Sequence, residues 1–235
     1  MATSNPAPAD KRAVFFFDID NCLYPKSLRI HNHMSVLIDK YFETHLGISQ
    51  AEAYELHMKY YTQYGLAIEG LVRHHKVDPL DYNQKVDDAL PLEDIIKPNP
   101  TLRKLLEDLD TDKVRPWLLT NAYVTHGRRV VKLLGVDDLF EGLTYCDYGA
   151  EKFVCKPSTE MFMKAMQEAG VDDIKSCYFV DDSALNVKAA RALGWSSVHL
   201  LEDAEPKHAD EPREMQIRDL EDLRNIFPQF FKSSS

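Results

Sequence analysis

The sequence predicts an α/β protein with a doubly wound, Rossmann-like parallel sheet as its core and an inserted α-helical cap domain. Three observations predict this fold. Short apolar runs of strand length recur along the chain, amphipathic segments lie between them, and one long helical stretch interrupts the alternation near the N-terminus. Apolar strands that alternate with helices are typical of a parallel sheet covered by helices on both faces.

Five apolar runs are expected to form the strands, because each is bounded by polar or turn residues and none has helical spacing. In chain order they are AVFFFD, RPWLLTN, GLTYCDY, SCYFVDD and SSVHLL. The helices that cover this sheet are expected at residues 101–109, 125–134, 158–169 and 183–193.

The stretch from residue 27 to residue 98 contains no convincing strand and is helical by pattern. Its helical segments are SVLIDKYFETHLG, AEAYELHMKYYTQYG, LAIEGLVRHH and PLDYNQKVDDAL, separated by glycine and proline. We therefore predict a cap domain at 27–98 and a Rossmann-like core formed by 1–26 and 99–235, in which 1–11 is a disordered tail.

Composition and charge limit the possible partners. A formal net charge of −10 argues against binding to polymeric DNA or RNA, which requires clustered Lys and Arg, but not against a small anionic ligand. The sequence has no apolar stretch long enough for a bilayer and no apolar signal at its N-terminus. We expect a cytoplasmic protein that could also enter the nucleus, with no membrane partner and four buried free cysteines; the oligomeric state is left open.

Polar residues follow three of the predicted strands. Asp18 and Asp20 follow the first run, Thr120 and Asn121 the second, and the pair Asp181–Asp182 the fourth. In open parallel sheets, ligands bind beyond the carboxyl ends of the strands. These residues are therefore expected to form a site.

The acidic pairs suggest a metal ion. Side chains two positions apart on an extended chain point the same way, so Asp18 and Asp20 face one side. A divalent cation would turn their repulsion into coordination, and Mg²⁺ suits carboxylate and carbonyl oxygens. Taken singly, an acidic pair or Thr–Asn pair is more often a turn or helix cap, and Lys156 an ordinary surface charge. The four features together, in this order, favour a site.

The chain resembles the haloacid dehalogenase-like superfamily of phosphotransferases at this point. Its first motif, DxDx(T/V) after an apolar strand, is matched by Asp18, Asp20 and Cys22, of which Cys22 departs from the usual residue. The second and third motifs are matched by Thr120 and by Lys156. The acidic pair Asp181–Asp182 matches the fourth.

The resemblance implies a covalent mechanism. Asp18 would be the nucleophile that forms an aspartyl-phosphate, and Asp20 the general acid and base. Mg²⁺ would be held by Asp18, the backbone carbonyl of Asp20 and Asp182, with Asp181 acting through metal-bound water. The phosphate oxygens would be bound by Thr120, Asn121 and Lys156, and Lys156 would also act in catalysis by neutralising Asp18. Asn186 would orient the acidic pair. Asp20, which the superfamily's dehalogenases lack, favours phosphoryl transfer.

A closer resemblance to the fungal pyrimidine 5′-nucleotidase branch is carried by FFFDIDNCLYP, YGLAIEGL, LLTNAY, KPSTEMF and FVDDSALNV. It implies a small-molecule nucleotide substrate, preferably UMP or CMP. Tyr60, Tyr61 and Tyr64 precede Gly65 and could stack on a planar base, and we take Tyr64 as the substrate-binding residue. The alternatives are nicotinamide mononucleotide, pyridoxal phosphate, a sugar phosphate, lysophosphatidate, or a non-catalytic phosphate-binding regulatory module.

Overall fold

The computed structural model describes residues 10–201 and 206–232. Its six strands form one parallel sheet in the order β3-β2-β1-β4-β5-β6, which confirms the predicted doubly wound fold. The strands are Ala13–Phe17 (β1), Val114–Leu119 (β2), Gly142–Thr144 (β3), Cys177–Asp181 (β4), Ser196–Leu200 (β5) and Gln216–Ile217 (β6). Each of the five predicted runs coincides with a strand, and β2 begins one residue before its run. β6 was not predicted, because two residues are too short for any periodic signal.

Eight of the ten helices in the described ranges lie where the sequence pattern placed them. The ten are Ile30–Leu46 (α1), Gln50–Tyr64 (α2), Ala67–His75 (α3), Pro79–Lys85 (α4), Leu92–Ile95 (α5), Pro100–Glu107 (α6), Val124–Leu134 (α7), Thr159–Ala169 (α8), Ala184–Leu193 (α9) and Leu223–Ile226 (α10). The helices α5 and α10, of four residues each, were not predicted. α1 begins earlier than its apolar pattern indicated. Gly65 ends α2 with φ of +81°, a left-handed conformation that favours glycine.

The central strand β1 supplies side chains to both faces of the sheet. Phe15 and Phe17 belong to the apolar cluster on one face, and Val14 and Phe16 to the cluster on the other. Because successive strand residues point to opposite faces, a continuous apolar run fits a strand that is buried on both sides.

The chain changes direction around β1. From β1 it runs outward through β2 to β3, and it then returns to β4 on the other side of β1 before continuing to β5 and β6. The carboxyl ends of β1, β2 and β4 therefore lie side by side at a topological switch point, where open sheets form their binding sites.

The helices α1 to α4 share an apolar cluster of their own, which includes Phe42, Tyr60 and Leu71. Cys146 and Cys155, on either side of the loop after β3, belong to the same cluster, so the helices pack on that loop. A Cβ atom added at Gly70 would lie 2.1 Å from the ring of Tyr60, so α3 approaches α2 this closely only with glycine there. The boundaries of a separate cap domain at 27–98 stay a prediction.

Three further expectations concern the chain as a whole. All four cysteines are free and buried. None of the helices in the described ranges is long and apolar enough to cross a membrane. Most of the predicted tail, residues 1–9, lies outside the described residues, whereas Asp10 accepts hydrogen bonds from Arg12.

Candidate active site

A buried lysine joins the ends of three strands. The ammonium Nζ of Lys156 lies 2.6 Å from Oδ1 of Asp18 and 2.6 Å from Oδ2 of Asp181, and it donates to the carbonyl of Leu119 at 2.8 Å. Lys156 is 2% exposed and Asp181 is fully buried. Burial alone would lower the pKa of Lys156, but the two carboxylates outweigh it and raise that pKa. Lys156 is therefore a fixed, buried positive charge, and the interpretation of this residue as an ordinary surface charge is wrong.

Asn121 fixes the backbone of Lys156. Its side-chain oxygen accepts from the backbone N–H of Lys156 at 2.7 Å, and its Nδ2 donates to the Lys156 carbonyl at 2.9 Å. The Asn121 amide thus fixes the backbone of the loop that carries Lys156, and the second N–H of this amide is available to a ligand. The neighbouring Thr120 is 1% exposed, and its Oγ1 accepts from the N–H of Ala122 at 3.0 Å, so its hydroxyl proton is left to donate.

Asp181 has both oxygens occupied by protein donors. In addition to Lys156, the backbone N–H of Ser183 donates to Oδ1 at 2.8 Å, and Nδ2 of Asn186 lies 3.1 Å from each oxygen. The first turn of α9 supplies Asn186, so the position of this helix determines the orientation of Asp181. These contacts agree with the orienting role expected for Asn186.

Three carboxylates at this edge could hold a metal ion. Asp18, Asp181 and Asp182 each offer an oxygen, and these oxygens lie within 4.8 Å of one another. Burial raises the pKa of Asp18, opposed by Lys156, and the two acidic neighbours raise it further. Burial and the charge of Asp181 raise the pKa of Asp182 to about 7. A divalent cation would relieve this repulsion, and an all-oxygen donor set suits Mg²⁺, so the residues fit the expected ion.

Asp20 lies beside this cluster and has different partners. Its Oδ1 accepts from the hydroxyl of Tyr24 at 2.7 Å, and Nε2 of His126 lies 2.7 Å from the same oxygen. Burial would raise the pKa of Asp20, but His126 and Tyr24 outweigh it and lower that pKa. For His126 the balance is the reverse, since burial lowers its pKa and the charge of Asp20 raises it above the ordinary value.

No role for Tyr24, His126 or Asp87 was expected from the sequence, although Tyr24 lies within the run FFFDIDNCLYP. Tyr24 contacts Asp20 from the turn after β1, and His126 contacts it from the first turn of α7. The spacing of apolar residues in the sequence indicates neither contact. Asp87, in the segment after α4, is 3% exposed, and its Oδ2 has no hydrogen-bond partner among the described residues. Burial raises the pKa of Asp87 to about 7, although attraction to His126 opposes the shift. Only three-dimensional proximity identifies these three residues.

A cavity of about 240 Å³ opens between the helices α1 to α4 and the strand ends. Asp20 and Asn121 line it at the strand ends, and Tyr61 on α2 lines it from the helical side. Tyr64 is not among the described residues that line it; its hydroxyl lies 2.7 Å from Nε2 of His74, and its ring lies beneath the guanidinium of Arg73. The substrate-binding role of Tyr64 stays a prediction, and the lining of this cavity favours Tyr61. Ten of the fourteen remaining lining residues are apolar or aromatic: Tyr24, Ile30, Met34, Ile38, Leu66, Ala67, Ile68, Tyr82, Ala122 and Tyr148. The other four are polar: Asn21, His31, His57 and Asp87.

Known proteins resemble this chain in sequence and fold. The model of a hydrolase family, haloacid dehalogenase-like hydrolase, matches residues 13–194. Phosphate metabolism protein 8 of Saccharomyces cerevisiae is 42% identical over 207 residues, which are 84% of this chain and 64% of that protein. The chain thus spans just under two thirds of the length of this curated relative.

Two solved structures share the fold. The magnesium-bound HAD-hydrolase YfnB of Bacillus subtilis aligns with a TM-score of 0.61 and 15% identity, over 92% of this chain and 98% of its own. The β-phosphoglucomutase of Clostridium difficile aligns with a TM-score of 0.59 and 19% identity, over 93% and 98%. At these identities the likeness concerns the fold alone, and it agrees with the expected Rossmann-like core.

Proposed function

The chain belongs to the haloacid dehalogenase-like hydrolase family, and from that membership we propose that it is a Mg²⁺-dependent phosphatase of nucleoside 5′-monophosphates, preferably UMP and CMP. The observation that carries the proposal is the buried arrangement of Asp18, Lys156 and Asp181 at the strand ends, next to a cavity that Asp20 lines. It brings two carboxylates and a fixed cation into one site, which supports a covalent mechanism with Asp18 as the nucleophile.

Asp18 is suited to be the nucleophile. Lys156 binds its Oδ1, and the described residues provide no hydrogen bond to its Oδ2. A carboxylate oxygen attacks phosphorus, and the P–O bond to the ester oxygen breaks, with its electron pair going to the leaving oxygen. Lys156 neutralises charge on the nucleophile, and Thr120 has a hydroxyl proton with which to bind a phosphate oxygen. Asp18, Asp182 and the backbone carbonyl of Asp20 would hold Mg²⁺, whose positive charge would offset the negative charge of the phosphate.

Asp20 is suited to be the general acid and base. It gives a proton to the leaving oxygen and then takes one from the water that attacks the aspartyl-phosphate. That attack forms a new P–O bond, breaks the bond between phosphorus and Asp18, and releases inorganic phosphate. The pKa of Asp20 is low in the free protein, but a bound phosphate dianion raises the proton affinity of a nearby carboxylate.

The cavity supports a compact leaving group with an aromatic part. Its apolar and aromatic lining, with Tyr61, Tyr82 and Tyr148, suits the face of a planar base. The 42% identical yeast relative is named for phosphate metabolism, which supports phosphate chemistry here. The preference for pyrimidines follows from the resemblance to the fungal pyrimidine 5′-nucleotidase branch.

The test is a phosphate-release screen with Mg²⁺ and with EDTA. The substrates are UMP, CMP, AMP, nicotinamide mononucleotide, pyridoxal phosphate, a sugar phosphate and lysophosphatidate, with the Asp18→Asn variant as the control. We expect UMP or CMP to be hydrolysed fastest, EDTA to abolish release, and D18N to lose activity on the order of 10⁵-fold. A different preferred ester would contradict the pyrimidine assignment. Release of phosphate by D18N at the wild-type rate would contradict the mechanism.

A further inference from the structure

We propose that His126 is a positioning residue for Asp20. His126 and Tyr24 both donate hydrogen bonds to one carboxyl oxygen of Asp20, Oδ1. The other oxygen, Oδ2, therefore carries the proton that is transferred to the leaving group. The inference rests on the proposed phosphatase function and deepens it, because it names the atom that carries the transferred proton.

The two oxygens of Asp20 have different surroundings. Oδ1 lies 2.7 Å from the hydroxyl of Tyr24 and 2.7 Å from Nε2 of His126. The described residues offer no hydrogen bond to Oδ2. The side chain is 31% exposed and lines the cavity proposed for the leaving group. A carboxyl group held at Oδ1 by two donors has only Oδ2 left for a substrate.

The two donors come from different parts of the fold, which fixes the orientation of the carboxyl plane. Tyr24 follows a tight turn in which the N–H groups of Cys22 and Leu23 both bond to the carbonyl of Ile19. Asn21, within that turn, has φ of +60°, a left-handed conformation that asparagine tolerates better than most residues. The turn thus brings the phenol back over Asp20, four positions earlier in the chain.

His126 reaches Asp20 from the first turn of α7. Its ring is buried, and the next residue is Gly127. A Cβ atom at Gly127 would lie 3.2 Å from Cδ1 of Ile19, so α7 packs tightly against the turn that carries Asp20. The charge of Asp87 raises the pKa of His126, but Nδ1 of the imidazole has no hydrogen-bond partner among the described residues. The packing of α7 against the turn therefore holds the imidazole in place.

The arrangement does not depend on the charge of His126. Nε2 carries a hydrogen both in the imidazolium and in the neutral form whose proton is on Nε2, and either form donates to Oδ1. As the bond between phosphorus and the leaving oxygen breaks, the Oδ2–H bond of Asp20 breaks too. The proton then joins the leaving oxygen, and Asp20 is left as a carboxylate whose Oδ1 remains bound by both donors.

The experiment compares leaving groups. p-Nitrophenolate is a stable anion that needs little help from an acid, whereas phenolate needs more and the alkoxide of UMP needs most. We expect His126→Leu to lower kcat by about 10²-fold on UMP and on phenyl phosphate, which is within the usual contribution of general acid catalysis. On p-nitrophenyl phosphate the loss should be only several-fold. His126→Gln, which keeps an N–H donor at a similar reach, should recover part of the lost rate.

Two further variants complete the experiment. Tyr24→Phe removes one of the two hydrogen bonds and should give a smaller change with the same dependence on the leaving group; it provides the test if H126L does not fold. His45→Leu is the matched control, because this imidazole stacks on Tyr41 in the helical region and does not touch Asp20. H45L should lose activity equally, if at all, on the three substrates.

Two results in the variants would overturn the inference. A loss in H126L and Y24F of the same size on all three esters would show a structural role alone. Full wild-type kcat in both variants would show that neither hydrogen bond contributes to the proton transfer. A wild-type protein that hydrolyses none of the three esters would instead overturn the phosphatase function, and the inference with it. The two kinds of failure are distinguished by the wild-type measurement.

Discussion

Lys156 and Asp18 are 138 positions apart in the chain, yet Nζ of the lysine and Oδ1 of the aspartate lie 2.6 Å apart in a buried ion pair. Asp181 binds the same ammonium group at the same distance. One cation thus holds two carboxylates that would otherwise repel each other. The pair links the loop before α8 to the ends of β1 and β4.

The first prediction concerns the stability that depends on this cation. Lys156→Met leaves two buried carboxylates without their counter-charge, and we expect it to lower the free energy of unfolding by about 3–5 kcal/mol. Urea denaturation at pH 7 measures the change. The matched control is Lys152→Met, because Lys152 pairs with Glu160 on the surface, and it should change stability by about 0.5 kcal/mol or less. Equal stability of K156M and wild type would contradict the prediction.

The second prediction concerns metal removal. A ligand that binds only the folded protein stabilises it, by about 2.7 kcal/mol at a concentration 100-fold above its dissociation constant. We therefore expect Mg²⁺ to raise Tm and EDTA to reverse the increase. In Asp182→Asn the increase should largely disappear, because the site loses a charged ligand. In Asp112→Asn, an exposed control, it should be unchanged; a D182N protein with the wild-type increase would exclude Asp182 as a ligand.

The third prediction concerns pH. Burial raises the pKa of Asp87 from 3.8 to about 7. Between these values the unfolded chain has lost the proton and the folded protein retains it, so stability falls as pH rises from about 4 to about 7 and then levels off. Above about pH 7, the raised pKa of Asp87 lowers the free energy of unfolding by roughly 4 kcal/mol relative to its value below about pH 4.

Asp87→Asn removes this contribution. The free energy of unfolding of D87N minus that of wild type should therefore grow in favour of D87N between pH 4 and pH 8, as measured by urea denaturation at each pH. Titration of groups that do not interact with Asp87 contributes equally to both proteins and cancels in the difference. His126, whose pKa the charge of Asp87 raises, does not cancel, so the difference reports Asp87 together with its effect on His126. A difference that does not vary with pH would show that Asp87 titrates normally in the folded protein.

The fourth prediction concerns the choice of substrate. Tyr61 lines the cavity and is 56% exposed, whereas the Tyr64 hydroxyl contacts His74. We expect Tyr61→Ala to raise KM for UMP several-fold, because stacking of an aromatic ring on a base is worth about 1 kcal/mol. KM for methyl phosphate, an ester that has no base, should change little. Tyr64→Ala is the matched control. If only Y64A raised KM for UMP, the residue chosen from the sequence would be correct and the cavity would not be the base site.

The sequence alone was sufficient for the strands that carry the site. The apolar runs that end at Asp18, Thr120 and Asp181 identify buried parallel strands, because period and length are local properties of the chain. Polar residues at such strand ends are brought to one edge by the fold itself. For that reason the convergence of Asp18, Thr120 and Asp181 could be expected before any coordinates were known. Lys156 lies before a helix and not at a strand end, so its place in the site was expected from the family resemblance alone.

The tertiary structure decided which residues assist them. His126 contacts Asp20 only because α7 crosses the turn after β1 at a glycine, and Asp87 approaches His126 only because the helical region folds back over the strand ends. It also placed Tyr61, and not Tyr64, on the cavity. Such contacts depend on how separate elements pack against one another, and local periodicity carries no information about that packing.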